Sequence, residues 1–307
     1  MLKADRILVC MCGSSADDPA ISRAFAVARR SGSRLMLLDV FDELPPEFEP
    51  LLSSLRMKDA REEAERERRG QLSRICQHLH EHAVAAHFDV RWGRRAIELV
   101  HEAATGSYDL LILEDDLPRG IRASTQSIVR HCPAPVWVVK SAPHAPPARV
   151  AAAVDPIGAG PGAFDRKVLE IAAGAAESMD AELYVVHAWQ PLCDEFGWLP
   201  AEVRKLSETR DFVEETRARH ARAVESVVRS VLPRLPEENR LLVEGSPAEA
   251  VLEASSEIGA DLLVVGTARS ALYARVLIGK TAETILENVA VSVLAVKPDG
   301  FVSPLSG

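Results

Sequence analysis

The chain repeats one pattern of landmarks twice, in the same order and with slowly changing spacing. Each copy opens on an arginine before an apolar run, continues to a second apolar run, and has a glycine sixteen residues ahead of an aspartate. Each copy then closes on an apolar run that ends in lysine. The paired landmarks are Arg6 and Arg149, 35–41 and 183–189, Gly93 and Gly245, Asp109 and Asp261, and Lys140 and Lys297. A repeat of this length indicates two copies of one domain.

The 307 residues suit two domains of about 150 residues each, and the sequence marks where they join. Residues 141–148, SAPHAPPA, hold three prolines, which exclude a helix and indicate a semi-rigid linker. We therefore predict a first domain over 1–140 and a second over 149–307. Because the linker is short, we expect the two copies to pack side by side as an intrachain pseudo-dimer.

Within each copy, short apolar runs alternate with longer segments of helical period. Continuous apolar runs such as LLVVG at 262–266 are typical of strands covered on both faces, which indicates a parallel sheet. Each copy is predicted to be α/β, a doubly wound domain with a five-stranded, mainly parallel sheet. Ligands of such sheets bind beyond the carboxyl ends of the strands, where the strand order reverses. The predicted helices are 21–30, 57–82, 96–105, 124–130, 164–177, 202–232, 248–257 and 281–287.

Charge and composition exclude several classes of protein. The 36 basic and 45 acidic residues give a net charge of −9, which disfavours a nucleic-acid binder because a phosphate backbone requires a basic surface. The five cysteines are too few and too scattered for a disulfide framework. No uncharged apolar run approaches the ~18 residues of a membrane span, and the amino terminus lacks a signal-peptide pattern. We expect a cytoplasmic protein without a membrane span.

Candidate ligand-binding residues follow two predicted strands of the second copy. Asp155 ends the first strand, where its carboxylate can accept hydrogen bonds from a ribose or an adenine. Gly266 and Thr267 end the fourth strand, and the glycine is expected to let the chain turn and approach a ligand closely. Gly279, Lys280 and Thr281 open the next helix, where backbone N–H groups and a hydroxyl form a phosphate seat.

These residues resemble the universal stress protein family. The family pattern is an aspartate after the first strand and a loop of form G-x2-G-x9-G-(S/T) after the fourth. The tandem arrangement, the string GKTAE at 279–283 and the tail VKPDGF-SP resemble its two-domain E-type members. The resemblance covers essentially the whole chain and implies the adenine nucleotide alpha hydrolase-like fold.

The resemblance also implies a ligand, ATP with Mg²⁺, and a set of contacts. In ATP-binding members the aspartate and the backbone of the second strand hold adenine and ribose, while the glycine loop wraps the phosphates. The positions implied in this chain are Asp155, Val186, Gly266, Thr267, Arg269, Gly279, Lys280 and Thr281.

Two of these positions depart from the family pattern. Arg269 stands where the second glycine belongs, and Lys280 stands where serine or threonine belongs, with Thr281 directly after it. An arginine forced into positive φ costs about 1 kcal/mol or more in strain. Both residues also add positive charge where a triphosphate would lie. The sequence leaves the sign of this balance open.

The first copy lacks the residues of a nucleotide loop. Alignment of the landmarks places Cys12 at the position of Asp155 and Glu114 at the position of Gly266. The span from aspartate to lysine is 31 residues in the first copy and 36 in the second, so five residues are missing. The remaining loop, EDDLPRG at 114–120, is acidic and would repel a triphosphate. The first copy is predicted not to bind ATP.

The best-supported function is a stress-response binding or regulatory protein that binds ATP in its second copy and is not a turnover enzyme. One alternative is a nucleotide-free interaction or apolar-ligand module, suggested by the aromatic segment 196–200. A weaker alternative is a slow ATPase, for which Asp155 is the one candidate base.

The remaining candidates are histidines and partners. His187, at a strand end, borders the site or packs beside it. No further metal-ligating residue lies near His78 and His82 in the sequence, so no metal site is predicted. The sequence names no protein partner and allows a further homodimer.

Overall fold

The computed structural model describes residues 4–11, 18–42, 57–140, 149–157, 163–191, 200, 201, 203, 205, 208–267, 278–301 and 303. The chain divides into two compact units. Unit 1 comprises β1 (Arg6–Met11), α1 (Pro19–Ser31), β2 (Arg34–Phe41), α2 (Met57–Glu81), β3 (Ala86–Trp92), α3 (Arg95–Thr105), β4 (Leu110–Asp115), α4 (Ala123–His131) and β5 (Val136–Lys140). Unit 2 comprises β6 (Arg149–Ala153), α5 (Ala163–Met179), β7 (Glu182–Trp189), α6 (Arg210–Val231), β8 (Arg240–Glu244), α7 (Pro247–Glu257), β9 (Leu262–Gly266), α8 (Lys280–Asn288) and β10 (Ser292–Val296).

Each unit contains five strands in the same order. In unit 1 the order is β3-β2-β1-β4-β5, and in unit 2 it is β8-β7-β6-β9-β10, with parallel pairing between these neighbours. The central strands are mostly apolar and are buried along most of their length, as expected for strands covered on both faces. The predicted α/β doubly wound fold is confirmed. The strand order reverses between β1 and β4 and between β6 and β9, which places the expected ligand position at those carboxyl ends.

The repeated landmarks of the sequence have repeated structural roles. The carboxylate of Asp109 accepts hydrogen bonds from the backbone N–H groups of Asp5 and Arg6, at 2.8 and 3.0 Å. Asp261 accepts from the N–H of Arg149 in the same way, at 3.3 Å. Each aspartate therefore fixes the start of the first strand beside the start of the fourth.

Most helices begin and end close to the predicted residues, and capping explains the earlier start of α1. Helix α1 begins two residues before the prediction because Asp18 caps it, accepting from the N–H of Ala20 at 2.8 Å, and because proline suits the first helical position. Gly32, in the left-handed region, ends the same helix. Helix α6 begins at Arg210 after Thr209 in extended backbone, and residues 201, 203 and 205 ahead of it are helical as well.

Several sequence predictions fall on segments outside the described residues, among them the linker at 141–148 and the nucleotide-loop residue Arg269. Within the described part of the chain, no helix combines the length and the apolar composition needed to cross a membrane.

Candidate functional site

A cavity of about 570 Å³ lies in unit 2 at the carboxyl ends of β6, β7 and β9. This is the position where the strand order reverses, and the volume falls in the range of small-molecule sites. Predicted site residues in its wall are Asp155, Gly266, Thr267, Gly279, Lys280 and Thr281.

Val186 is a predicted site residue that is not in the cavity wall. Its side chain is fully buried in β7, and its carbonyl oxygen accepts a hydrogen bond from the N–H of Val154 at 3.0 Å. The residues that follow it, His187 to Gln190, line the cavity. A contact between the backbone of Val186 and a ligand stays a prediction.

An aspartate on α5 supports the end of β6. The backbone N–H of Asp155 donates to Oδ1 of Asp165 at 2.8 Å, so the side chain of the helix fixes the turn after the strand. Asp165 is buried, and burial raises its pKa, while the hydrogen bond from Asp155 acts in the opposite direction. Both residues line the cavity, Asp155 from a half-buried position.

The start of α8 is held against the end of β9. The N–H of Gly279 donates to the carbonyl of Thr267 at 2.9 Å. The N–H and the hydroxyl of Thr267 both donate to the carbonyl of Val296, at 2.9 and 3.0 Å. Within the described residues, no side chain caps this helix. The first N–H groups of α8 have no intrahelical partner, so they present positive partial charge at the cavity wall. The exposed side chains of Lys280 and Thr281 lie in the same part of the wall.

Gly266 is a glycine for a reason that the sequence did not predict. Its φ is outside the left-handed region, so the turn after β9 does not require glycine. The ring of Phe164 on α5 lies where a side chain at 266 would be. The glycine therefore accommodates an aromatic residue of the cavity wall.

Two histidines form a hydrogen-bonded pair in the wall. Nε2 of His187 is 2.8 Å from Nδ1 of His220, and Nδ1 of His187 is 2.9 Å from the carbonyl oxygen of Val154. The side chain of His187 is buried. Burial of His220, then the nearby His187 and Arg219, lowers the pKa of His220 to about 4. His220 is therefore neutral at neutral pH.

The rest of the wall is largely apolar. Phe164 and Val168 contribute from α5, Trp189 from β7, Val251 from α7 and Ile285 from α8. Among the described residues, no three or more His, Cys, Asp or Glu side chains are grouped as a metal ion would require. The site combines an apolar body with a few convergent polar groups, which is the usual character of a small-molecule site.

Comparison with known proteins places the chain in a family. The sequence model of the universal stress protein family matches residues 3–140 and again residues 149–297. The chain belongs to the universal stress protein family. Both matches lie in tandem, so the predicted tandem membership is confirmed.

Relatives of this universal stress protein match it along their whole length. It is 25% identical to universal stress protein E of Photorhabdus laumondii, over 99% of this chain and 98% of the relative. It is 24% identical to universal stress protein E of Escherichia coli K12, with the same coverage. A crystal structure described as a universal stress protein, from Pseudomonas aeruginosa UCBPP-PA14, has a TM-score of 0.72 at 20% identity, covering 99% of this chain and 96% of that one. One from Archaeoglobus fulgidus has a TM-score of 0.58 at 16% identity, covering 95% and 98%. These structures share its fold.

In the universal stress protein domain of unit 1, the helix that corresponds to α8 is α4, and a carboxylate of the chain itself lies at its start. Asp115, buried at the end of β4, accepts from the N–H of Arg122 at 2.9 Å, from the hydroxyl of Thr125 at 2.7 Å and from the N–H of Leu117 at 3.2 Å. Nζ of Lys140 lies 3.7 Å from Asp115 and donates to the carbonyl of Leu117 at 2.9 Å. These contacts hold the short loop between β4 and α4 in place.

Strand register shows which residue of unit 2 corresponds to Asp115. Asp115 pairs with Lys140 across β4 and β5, while Gly266 pairs with Val296 across β9 and β10. Thr267, one residue further, therefore stands at the position of Asp115. The acidic run of unit 1 was predicted to repel phosphate, but Asp115 points into the protein, where it occupies the position at the helix start. Cys12, predicted at the position of Asp155, lies outside the described residues.

Sequence reasoning missed Asp165 and His220 as wall residues. Asp165 carried a signal, because an aspartate in the first turn after the first strand is placed to interact with backbone N–H groups. His220 lies on the long charged helix α6, and nothing in its local sequence indicates that it meets His187. The aromatic segment predicted as an apolar groove lies, from 196 to 199, outside the described residues.

Proposed function

We propose that this universal stress protein binds ATP with Mg²⁺ in the cavity of unit 2 and acts as a regulatory binding protein. The observation that carries the proposal is the replacement of Asp115 in unit 1 by Thr267 in unit 2. A carboxylate satisfies the helix start in unit 1, whereas a neutral hydroxyl that is bonded to Val296 leaves the start of α8 available to an external anion.

The polarity of the cavity supports an extended ligand with one anionic end. Phosphates fit the start of α8, where backbone N–H groups, Lys280 and Thr281 meet. The nucleoside fits the side of β6 and β7, where Asp155 offers a carboxylate beside apolar residues. Two strand spacings, about 10 Å, separate β7 from β9, which suits the distance from a nucleobase to its phosphates. Mg²⁺ would be held chiefly by the phosphates and water, as it usually is at nucleotide sites.

A regulatory role follows from where the contacts originate. The wall residues belong to β6, α5, β9 and α8, which are separate elements of one unit. A ligand that contacts all of them stabilises the arrangement in which they are close together, in proportion to its affinity for that state. Binding therefore changes the population of conformations without a chemical step.

Isothermal titration with ATP and Mg²⁺ tests the proposal directly. The wild-type chain should bind ATP, and Thr267→Asp should lose affinity on the order of tenfold to a hundredfold, because the introduced carboxylate occupies the helix start. Thr267→Asn is the matched control, since it has the same shape as the aspartate variant without its charge. Equal affinities of the two variants would contradict the proposal.

The largely apolar wall supports a second candidate, an apolar-ligand or interaction module. Phe164, Trp189 and Ile285 would contact such a ligand. This alternative would be favoured if native mass spectrometry of the protein as purified detected a bound apolar molecule and the wild type failed to bind ATP. Steady-state phosphate release by the wild type that disappears in Asp155→Ala would instead favour a slow ATPase.

A further inference from the structure

The hydrogen bond between His187 and His220 has a defined geometry. The ring centroids are 5.1 Å apart, and the ring planes differ by 24°. With Nε2 and Nδ1 only 2.8 Å apart, this centroid distance requires rings that lie edge to edge and nearly coplanar. Together with the contact to Val154, the two rings form a single chain of hydrogen bonds from the end of β6 to α6.

For two neutral rings, this chain of hydrogen bonds determines which ring nitrogens carry hydrogen. A carbonyl oxygen can only accept, so Nδ1 of His187 donates to Val154. In a neutral His187 ring Nε2 is then an acceptor, and Nδ1 of His220 must be the donor that faces it. The low pKa of His220 keeps that ring neutral at pH 7. Its second nitrogen, Nε2, is therefore a hydrogen-bond acceptor.

The acceptor faces away from His187. The two nitrogens of an imidazole lie on different sides of the ring, and Nδ1 of His220 is the one turned towards His187. His220 lines the cavity, and among the described residues its Nε2 has no hydrogen-bond partner. The hydrogen bond to His187 fixes the tautomer of His220. Nε2 of His220 is therefore a directional recognition group, because it accepts a hydrogen bond from a donor and disfavours another acceptor.

We propose that Nε2 of His220 accepts a hydrogen bond from the nucleoside part of the ligand, so that the cavity selects a ligand with an N–H or O–H donor at that point. This inference rests on the proposed binding of ATP. The nucleoside is the part within reach, because His187 lies on β7, on the side of the cavity away from the start of α8. The available donors are the 6-amino group of adenine and the two ribose hydroxyls. His187 is a positioning residue, since it acts through His220.

Nuclear magnetic resonance of the free, full-length protein tests the tautomers. Proton–nitrogen correlation spectra at neutral pH, assigned with His187→Asn and His220→Asn, should show both rings protonated at Nδ1 and unprotonated at Nε2. A hydrogen on Nε2 of His220 would overturn the inference without affecting ATP binding.

Titration with nucleotide analogues tests the contact itself. The ligands are ATP and the three analogues that lack the 6-amino group, the 2′-hydroxyl or the 3′-hydroxyl. His220→Asn places an amide nitrogen near Nδ1, which preserves the bond to His187 and removes the acceptor. His220→Gln places an amide oxygen near Nε2 and keeps an acceptor there.

One of the three deletions should weaken binding by the wild type by about three- to tenfold, and the same deletion should cost nothing in His220→Asn. Part of the cost should return in His220→Gln. If every deletion has the same cost in the wild type and in His220→Asn, the inference is overturned while ATP binding stands. Failure of the wild type to bind ATP would overturn the proposed function and this inference together.

Discussion

The ring of Phe164 lies directly over the α-carbon of Gly266. A Cβ at position 266 would come within 2.6 Å of Cε1 of Phe164 and 3.0 Å of its Cζ. The contact joins the first helix of unit 2 to the end of β9 at the wall of the cavity. Any side chain at 266 must therefore displace an aromatic ring that forms part of the cavity wall.

Gly266→Ala should weaken ATP binding by about tenfold and cost about 1–3 kcal/mol of stability, because the displaced ring is overpacked. Isothermal titration and urea unfolding measure the two effects. Adding Phe164→Leu should restore much of the affinity, because leucine lacks the ring atoms that meet the new methyl group. A double variant that binds as weakly as Gly266→Ala would rule out the ring as the cause.

Gly279→Ser should have the opposite effect on stability. Gly279 is the N-cap of α8, its φ of −64° suits any residue, and the nearest atom to an added Cβ is the carbonyl oxygen of Thr267 at 3.9 Å. A serine hydroxyl there can accept from the first free N–H groups, so the free energy of unfolding should rise by about 0.3 kcal/mol. Urea unfolding checks this, and a destabilised variant would contradict the open geometry.

Reversal of charge at Lys280 should separate stability from binding. Lys280 is the exposed first residue of α8, where a negative charge is favourable to the helix. Lys280→Glu should therefore leave stability unchanged or raise it by about 0.3–1 kcal/mol. The same change should reduce ATP affinity by about tenfold, since it places negative charge beside the phosphates. The ATP affinity of Lys280→Gln, measured by the same titration, should fall between those of the wild type and Lys280→Glu.

The low pKa of His220 predicts a loss of stability in mild acid. Its pKa is about 4 in the folded protein against an ordinary value of 6.5, so the unfolded chain binds the extra proton between these values. The stabilisation is complete above pH 6.5 and falls as the pH drops towards 4. The shift corresponds to about 3 kcal/mol, which partial exposure of the ring reduces to about 1–2 kcal/mol. Urea unfolding at pH 7 and pH 5 should show a smaller pH effect in His220→Gln than in the wild type.

The contacts of Asp115 in the loop between β4 and α4 indicate that this residue is required for stability. The side chains of Asp115 and Lys140 are 0% and 5% exposed, so Asp115→Ala leaves a buried lysine without its carboxylate and should cost about 3–5 kcal/mol. Lys140→Met should cost less, about 1–2 kcal/mol, because Asp115 keeps its three other donors. Asp116→Ala is the control, since its pair with Arg122 is exposed and should contribute less than about 1 kcal/mol. Urea unfolding of the three variants should reproduce this order.

The sequence by itself determined the duplication, the α/β class and the approximate bounds of most helices and strands. These properties follow from local periodicity and from residues such as Asp109 and Asp261, whose repeated spacing reflects a repeated backbone contact. The sequence also placed Asp155, Gly266 and Gly279 at strand and helix ends, because chain order in a parallel sheet fixes which ends lie together.

Only the tertiary structure decided which side chains meet in the cavity. His187 and His220 are 33 residues apart, and their hydrogen bond depends on how α6 packs against β7. The need for glycine at 266 depends likewise on Phe164, a residue of a different helix. Asp115 was interpreted from sequence as part of an acidic loop that repels phosphate, but its burial with Lys140 depends on the pairing of β4 with β5. Such contacts are set by packing between elements distant in the chain, which no local pattern of residues encodes.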